Sequence, residues 1–135
     1  MRADRATGKF DVKLAPLTSY NADDTSMGRM SIDKQFHGDL EATSKGEMLS
    51  SMDRVVGSGA YVAIERVTGT LAGRQGAFAL YHIGTMDRGK PQLSIRVVPD
   101  SGAGQLTRLT GTITIDIEAG NHSYGFDYSL PELDE

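Results

Sequence analysis

The sequence predicts an all-β protein, a single eight-stranded antiparallel β-barrel. Three observations carry that expectation: apolar and polar residues alternate with period two along most of the chain, glycine-bearing loops join neighbouring runs at regular spacing, and a helical period fits one segment only. At 135 residues the chain fits one domain, 1–135, with a barrel core over about 6–131. It has no cysteine, so packing rather than disulfides must hold it. Sixteen glycines against four prolines suit tight turns between twisted strands.

Segment 6–14 sets Phe10, Val12 and Leu14 against Lys9, Asp11 and Lys13, a strand wet on one side. After a polar loop through Pro16, Asn21, Asp23 and Asp24, segment 28–36 sets Met30, Ile32 and Phe36 against Arg29, Ser31, Asp33 and Gln35. Lys34 is a misfit on that apolar face. In segment 40–49, Ala42, Ser44, Gly46 and Met48 point inward and Glu41, Thr43, Lys45 and Glu47 outward. Met48, Leu49, Met52, Val55 and Val56 also fit helical spacing, but Gly46 and the serines favour a strand.

Segment 60–85 reads as a hairpin around Gly73-Arg74, a type II′ loop with glycine first. Its register would oppose Glu65 to His82, Val67 to Leu80 and Gly69 to Phe78 on the inner face. On the outer face Thr70 would meet Ala77, Val62 would meet Thr85, and Arg66 would meet Tyr81 as a surface cation–π pair. Segment 92–99 adds a sixth strand with Leu93, Ile95 and Val97 inward. Segments 110–118 and 122–130, joined at Gly120-Asn121, would pair Ile117 with Tyr124, Ile115 with Phe126 and Ile113 with Tyr128. Eight such strands argue for a closed barrel, wide enough to be filled by side chains or to hold one small ligand.

Composition excludes several function classes. The formal charge of −4 comes from interspersed residues with no basic stripe, so no nucleic-acid partner is expected. No apolar run reaches membrane-spanning length and the start, Met1 to Arg5, is polar, so the expectation is a cytoplasmic protein without membrane contact. His37, His82 and His122 lack metal-binding spacing, and neither a metal nor a cofactor is expected. The glycines of segment 100–106 are followed by a strand rather than a phosphate-holding helix. They read as a turn and short helical corner that closes one barrel end with Leu106 and Leu109. Asp23-Asp24 and the tail Leu133-Asp134-Glu135 read as solvated acidic segments.

The polar groups on the inner face are few, and they are the candidate site. Glu65 and His82 are the candidate catalytic residues, because a carboxylate beside an imidazole can move protons between two positions of a bound molecule. Tyr61, Ser44, Phe78, Tyr124, Phe126 and Tyr128 are the candidate ligand-binding residues, with His122 near the rim; a phenol among them can donate to a developing oxyanion. The competing structural reading is a mutually satisfied buried pair surrounded by ordinary core aromatics.

Four segments carry a family resemblance: 29–48 (RMSIDKQFHGDLEATSKGEM), 61–69 (YVAIERVTG), 97–106 (VVPDSGAGQL) and 122–131 (HSYGFDYSLP). In this order they resemble the bacterial domain-of-unknown-function family 3224, over about residues 6–131. That family is similar in fold to the allene oxide cyclase barrel, so the resemblance implies an eight-stranded antiparallel barrel of allene oxide cyclase-like type. It implies no reaction. Ala103 and Arg108 depart from the corner motif, where threonine and glycine are expected. Three functions then compete: a barrel binding a small apolar or amphipathic molecule, a cofactor-independent isomerase or cyclase, and a filled barrel acting through its surface as a homodimer or higher homo-oligomer. For the last, Val62, Ile64 and Ile83 offer an outer apolar patch.

Overall fold

The computed structural model describes residues 2–52 and 55–132, so the acidic tail 133–135 lies outside the described residues. The strands are β1 (Arg2–Pro16), β2 (Met27–Gly38), β3 (Leu40–Met52), β4 (Gly59–Leu71), β5 (Arg74–Asp87), β6 (Lys90–Val97), β7 (Ala103–Gly104), β8 (Thr110–Glu118) and β9 (Asn121–Leu130). Eight of them form a closed antiparallel ring in chain order, sealed where β1 pairs with β9; the two-residue β7 sits outside it on β5. Period-two alternation fixes which face is inside, because each strand carries its apolar set on one side of the pleat. Segment 48–52, with its helical spacing, continues β3. No helix of the described residues is long and apolar enough to cross a membrane.

Both predicted hairpin registers are corrected by two residues. The β4–β5 loop is Ala72-Gly73 and not Gly73-Arg74, so Glu65 opposes Leu80 and His82 opposes Ala63. Likewise Val67 meets Phe78, Gly69 meets Gly76, Thr70 meets Gln75, Val62 meets Ile83 and Arg66 meets Ala79, which removes the Arg66–Tyr81 pairing. The β8–β9 loop is Ala119-Gly120, pairing Ile117 with His122, Ile115 with Tyr124 and Ile113 with Phe126. The cause lies in the turns: φ is positive at both loop residues, 49° and 84° at Ala72 and Gly73 and 51° and 81° at Ala119 and Gly120. That is a type I′ geometry, whose twist matches the flanking strands. Because the error is an even number of residues, every side chain keeps its predicted face.

The barrel has unlike ends. At one, the chain between β6 and β8 folds back in successive turns and inserts Leu106 and Leu109, both buried, beside Leu40, Leu71 and Leu130. Turns rather than a helix make this corner. Arg108, standing where glycine is expected, has φ 72° and so adopts the left-handed conformation at a cost glycine would avoid. Phe36, Phe78 and Phe126 fill the middle. Toward the other end, inward-facing residues become progressively exposed: from Ile113 at 5% to Ile117 at 64%, and from Ile95 at 2% to Leu93 at 49%. Phe10 to Leu14 and His82 to Met86 follow the same course.

Alanine is a poor occupant of the left-handed conformation and asparagine a good one. Ala72→Asn and Ala119→Asn are each expected to raise unfolding stability by up to about 1 kcal/mol in urea titration. A loss of stability in both would contradict the type I′ assignment.

Candidate functional site

The candidate site lies on the inner faces of β2, β3, β4 and β5. Glu65 and His82 are not directly opposite, but they are diagonal neighbours on one face, and long side chains bridge that distance. His82 Nε2 lies 2.6 Å from Glu65 Oε2. Lys34 Nζ donates to the same oxygen at 2.8 Å, and Ser44 Oγ donates to Oε1 at 2.7 Å. Gly46 pairs with Glu65 across β3 and β4, and any side chain there would collide with the Glu65 backbone. The carboxylate therefore has three donors and no exposure to solvent.

Lys34 is the residue that sequence reasoning left unassigned. Its lone apolar-face position was the available signal: an inward lysine requires an inward carboxylate. Its ammonium is also 5.3 Å from the Phe10 ring centre and 5.7 Å from that of Phe36, so its stem and head are both accommodated in an aromatic wall.

Burial pushes the Glu65 carboxyl pKa up, but the His82 hydrogen bond and the adjacent Lys34 ammonium outweigh it and hold the group at about 2. Glu65 is thus ionised at neutral pH. A carboxylate of such low pKa is a weak base, and its hydrogen bond to Nε2 orients the imidazole. In a neutral His82 ring the carboxylate puts the hydrogen on Nε2, leaving the Nδ1 lone pair toward the Tyr61 hydroxyl 3.4 Å away. Burial, and secondarily the Glu65 charge, raise the Tyr61 pKa, so the phenol stays protonated. The ring of Tyr61 covers Gly84, where a side chain would clash with it. An aromatic ring over a strand glycine helps to fix the register of a strand pair.

A model of the DUF3224 family, a protein of unknown function, matches residues 6–128. The chain belongs to the DUF3224 family. It is similar to the crystal structure of a DUF3224 protein of unknown function from Shewanella oneidensis MR-1, with 52% identity, 96% of this chain and 98% of that chain covered, and a TM-score of 0.91. No curated protein matches the chain.

The other candidate residues of this DUF3224 barrel are dispersed. Tyr61 and Ser44 stand at the Glu65–His82 pair. Phe78 and Phe126 are packed against each other in the core, with centroids 5.8 Å apart. The Tyr124 hydroxyl accepts from the Leu40 amide at 3.0 Å and contacts the His37 carbonyl at 3.0 Å, tying β9 to the β2–β3 turn. Tyr128 lies with Leu130 and Ala72 along a groove that also contains Arg2, Asp4 and Arg74. His37 is exposed near Asp11 and Glu41, and His122 packs on Phe10, so the three imidazoles stay apart.

Two outcomes follow from the buried charges. The Glu65 pKa is depressed on folding, so its contribution to stability, on the order of 3 kcal/mol, is complete above about pH 4.5 and is lost as pH falls through about 2. Urea titrations across that window should show this slope in the wild type and a shallower one in Glu65→Gln. Lys34→Met strands a buried carboxylate and is expected to cost about 3–5 kcal/mol. Adding Glu65→Leu to it should recover most of that loss; no recovery would mean the two groups are not coupled.

Proposed function

We propose that this DUF3224 barrel binds a small apolar or amphipathic molecule in a vestibule at its open end. The observation that carries this reading is the exposure gradient, which leaves Leu14, Met86, Leu93 and Ile117 facing inward yet in contact with solvent at one end only. Half-buried Met30, Met48 and Tyr61 lie deeper on neighbouring strands. Methionine adapts its shape to a ligand, and a few polar atoms in an apolar recess fix orientation. The Tyr61 hydroxyl, protonated and only loosely held by His82, is the donor such a ligand's oxygen would meet.

A second reading is favoured by the Tyr61–His82–Glu65 chain: a cofactor-independent isomerase. In it Tyr61 donates its proton to an oxygen of the bound molecule while the His82 Nδ1 lone pair takes a proton from a neighbouring carbon; His82 then passes that proton to the Tyr61 phenolate, and Glu65 anchors the imidazole throughout. Ser44 holds the far carboxylate oxygen.

Native mass spectrometry of protein purified from its own host, before and after denaturation, tests the binding reading. The wild type should release a small molecule in stoichiometric amount, and Leu93→Arg with Ile117→Arg should lose at least tenfold in affinity for it. An unchanged affinity in that double variant would overturn the vestibule. His82→Gln should retain the molecule; if it also converts it as fast as the wild type, the isomerase reading fails.

A further inference from the structure

The outer face of the barrel is not uniform. Outward positions of β1 and β8 read Lys9, Asp11, Lys13 and Thr112, Thr114, Asp116, as a solvated sheet should. Those of β4 and β5 include Val62, Ile64, Tyr81 and Ile83, the three aliphatic residues about half exposed. Cross-strand pairing arranges them in two adjacent rows. One row runs Arg29, Leu49, Val62, Ile83, Ser94, and the next Ser31, Glu47, Ile64, Tyr81, Arg96. A shallow groove of about 640 Å³ lies along this face. Apolar residues contiguous over two rows mark an interaction surface.

The flanks carry unlike charges. Glu47, on β3, accepts from Arg29 Nε and lies near Arg29 Nη2, each at 2.7 Å, through Oε1 alone; Oε2 has no bond from a described residue. Arg96, on β6, gives its Nε to Ser94 Oγ at 3.3 Å and pairs with no carboxylate among the described residues. The second row therefore has an acid on one side of the apolar centre and an unmatched cation on the other.

We propose that a second copy of this chain docks on this face, about a two-fold axis running along the strands between β4 and β5. That operation lays β4 of one copy over β5 of the other and β3 over β6. Val62 then meets Ile83, Ile64 meets Tyr81, and Glu47 of each copy meets Arg96 of the other, every contact made twice as an isologous interface requires. A two-fold axis across the strands would instead set β6 on β6 and β3 on β3, bringing Arg96 toward Arg96 and Glu47 toward Glu47. The charges select the first axis. Curvature supports it as well: two barrels touch along β4 and β5 and diverge at β3 and β6, where Glu47 and Arg96 are long enough to bridge the gap.

Sedimentation equilibrium over a wide concentration range reads the assembly. The wild type should give a reversible species of twice the chain mass. Glu47→Arg and Arg96→Glu should each weaken it at least tenfold, and the two together should restore it to within about threefold. Both residues are exposed, so neither change threatens the fold. Ile64→Thr, which keeps a β-branched residue on the strand, should weaken it similarly with an unchanged melting curve. A chain monomeric at all concentrations overturns the proposal, as does a dimer indifferent to these variants or one the paired charge reversal fails to restore. Because the face lies outside the barrel, these variants should leave vestibule binding unchanged, which separates the two readings.

Discussion

A carboxylate held without solvent inside an apolar barrel must be neutralised and hydrogen-bonded on every side, and much of the interior of this protein is arranged to do so. Glu65 explains why β2 interrupts an apolar face with Lys34, why β3 places a serine and then a glycine on its inner side, and why His82 presents one nitrogen inward and the other toward Tyr61. Remove the acid and each of these residues is unexplained. A buried ion pair of this kind contributes less to stability than a well-packed apolar cluster would. What it does fix is the orientation of the imidazole, with one nitrogen on Glu65 and the other toward Tyr61.

The two ends of the barrel divide the work. The corner with Leu106 and Leu109 caps one end, and the aromatic layer of Phe36, Phe78 and Phe126 fills the space above it. That packed half fixes strand positions rigidly. The polar cluster lies at the boundary between this half and the open one, with Tyr61 as its outermost member. A group placed there is held by the core and still lies within reach of the mouth.

The fold was legible because its main signal, alternation, is written locally in each strand. Register was less so. Asparagine or aspartate before glycine announces a type I′ loop, and here alanine stands in that position twice, which makes a loop beginning with glycine the more natural reading. The even-numbered slip preserved the faces, so Glu65 and His82 were still brought together, diagonally. Lys34 stood out as a misfit, but its partner lies 31 residues away, across two strand pairings, and no local pattern connects them. The depth of the tyrosines was hidden for a different reason. An inward phenol says nothing of its depth, and Tyr124 spends its hydroxyl on backbone groups of a turn.

The seam between β1 and β9 gives the barrel a cyclic character. Each ring strand pairs with its neighbours in sequence, and the seam sets Arg2 beside Leu130. Topologically, then, the ring has no first strand: a short peptide joining the two ends and a cut at a two-residue loop such as Ala72-Gly73 would preserve every pairing. What such a permutation would alter is the order of assembly, since the seam is the pairing of greatest sequence separation and carries the largest loop-closure entropy. Moving the cut to β4–β5 would hand that role to the strands that bear Glu65 and His82.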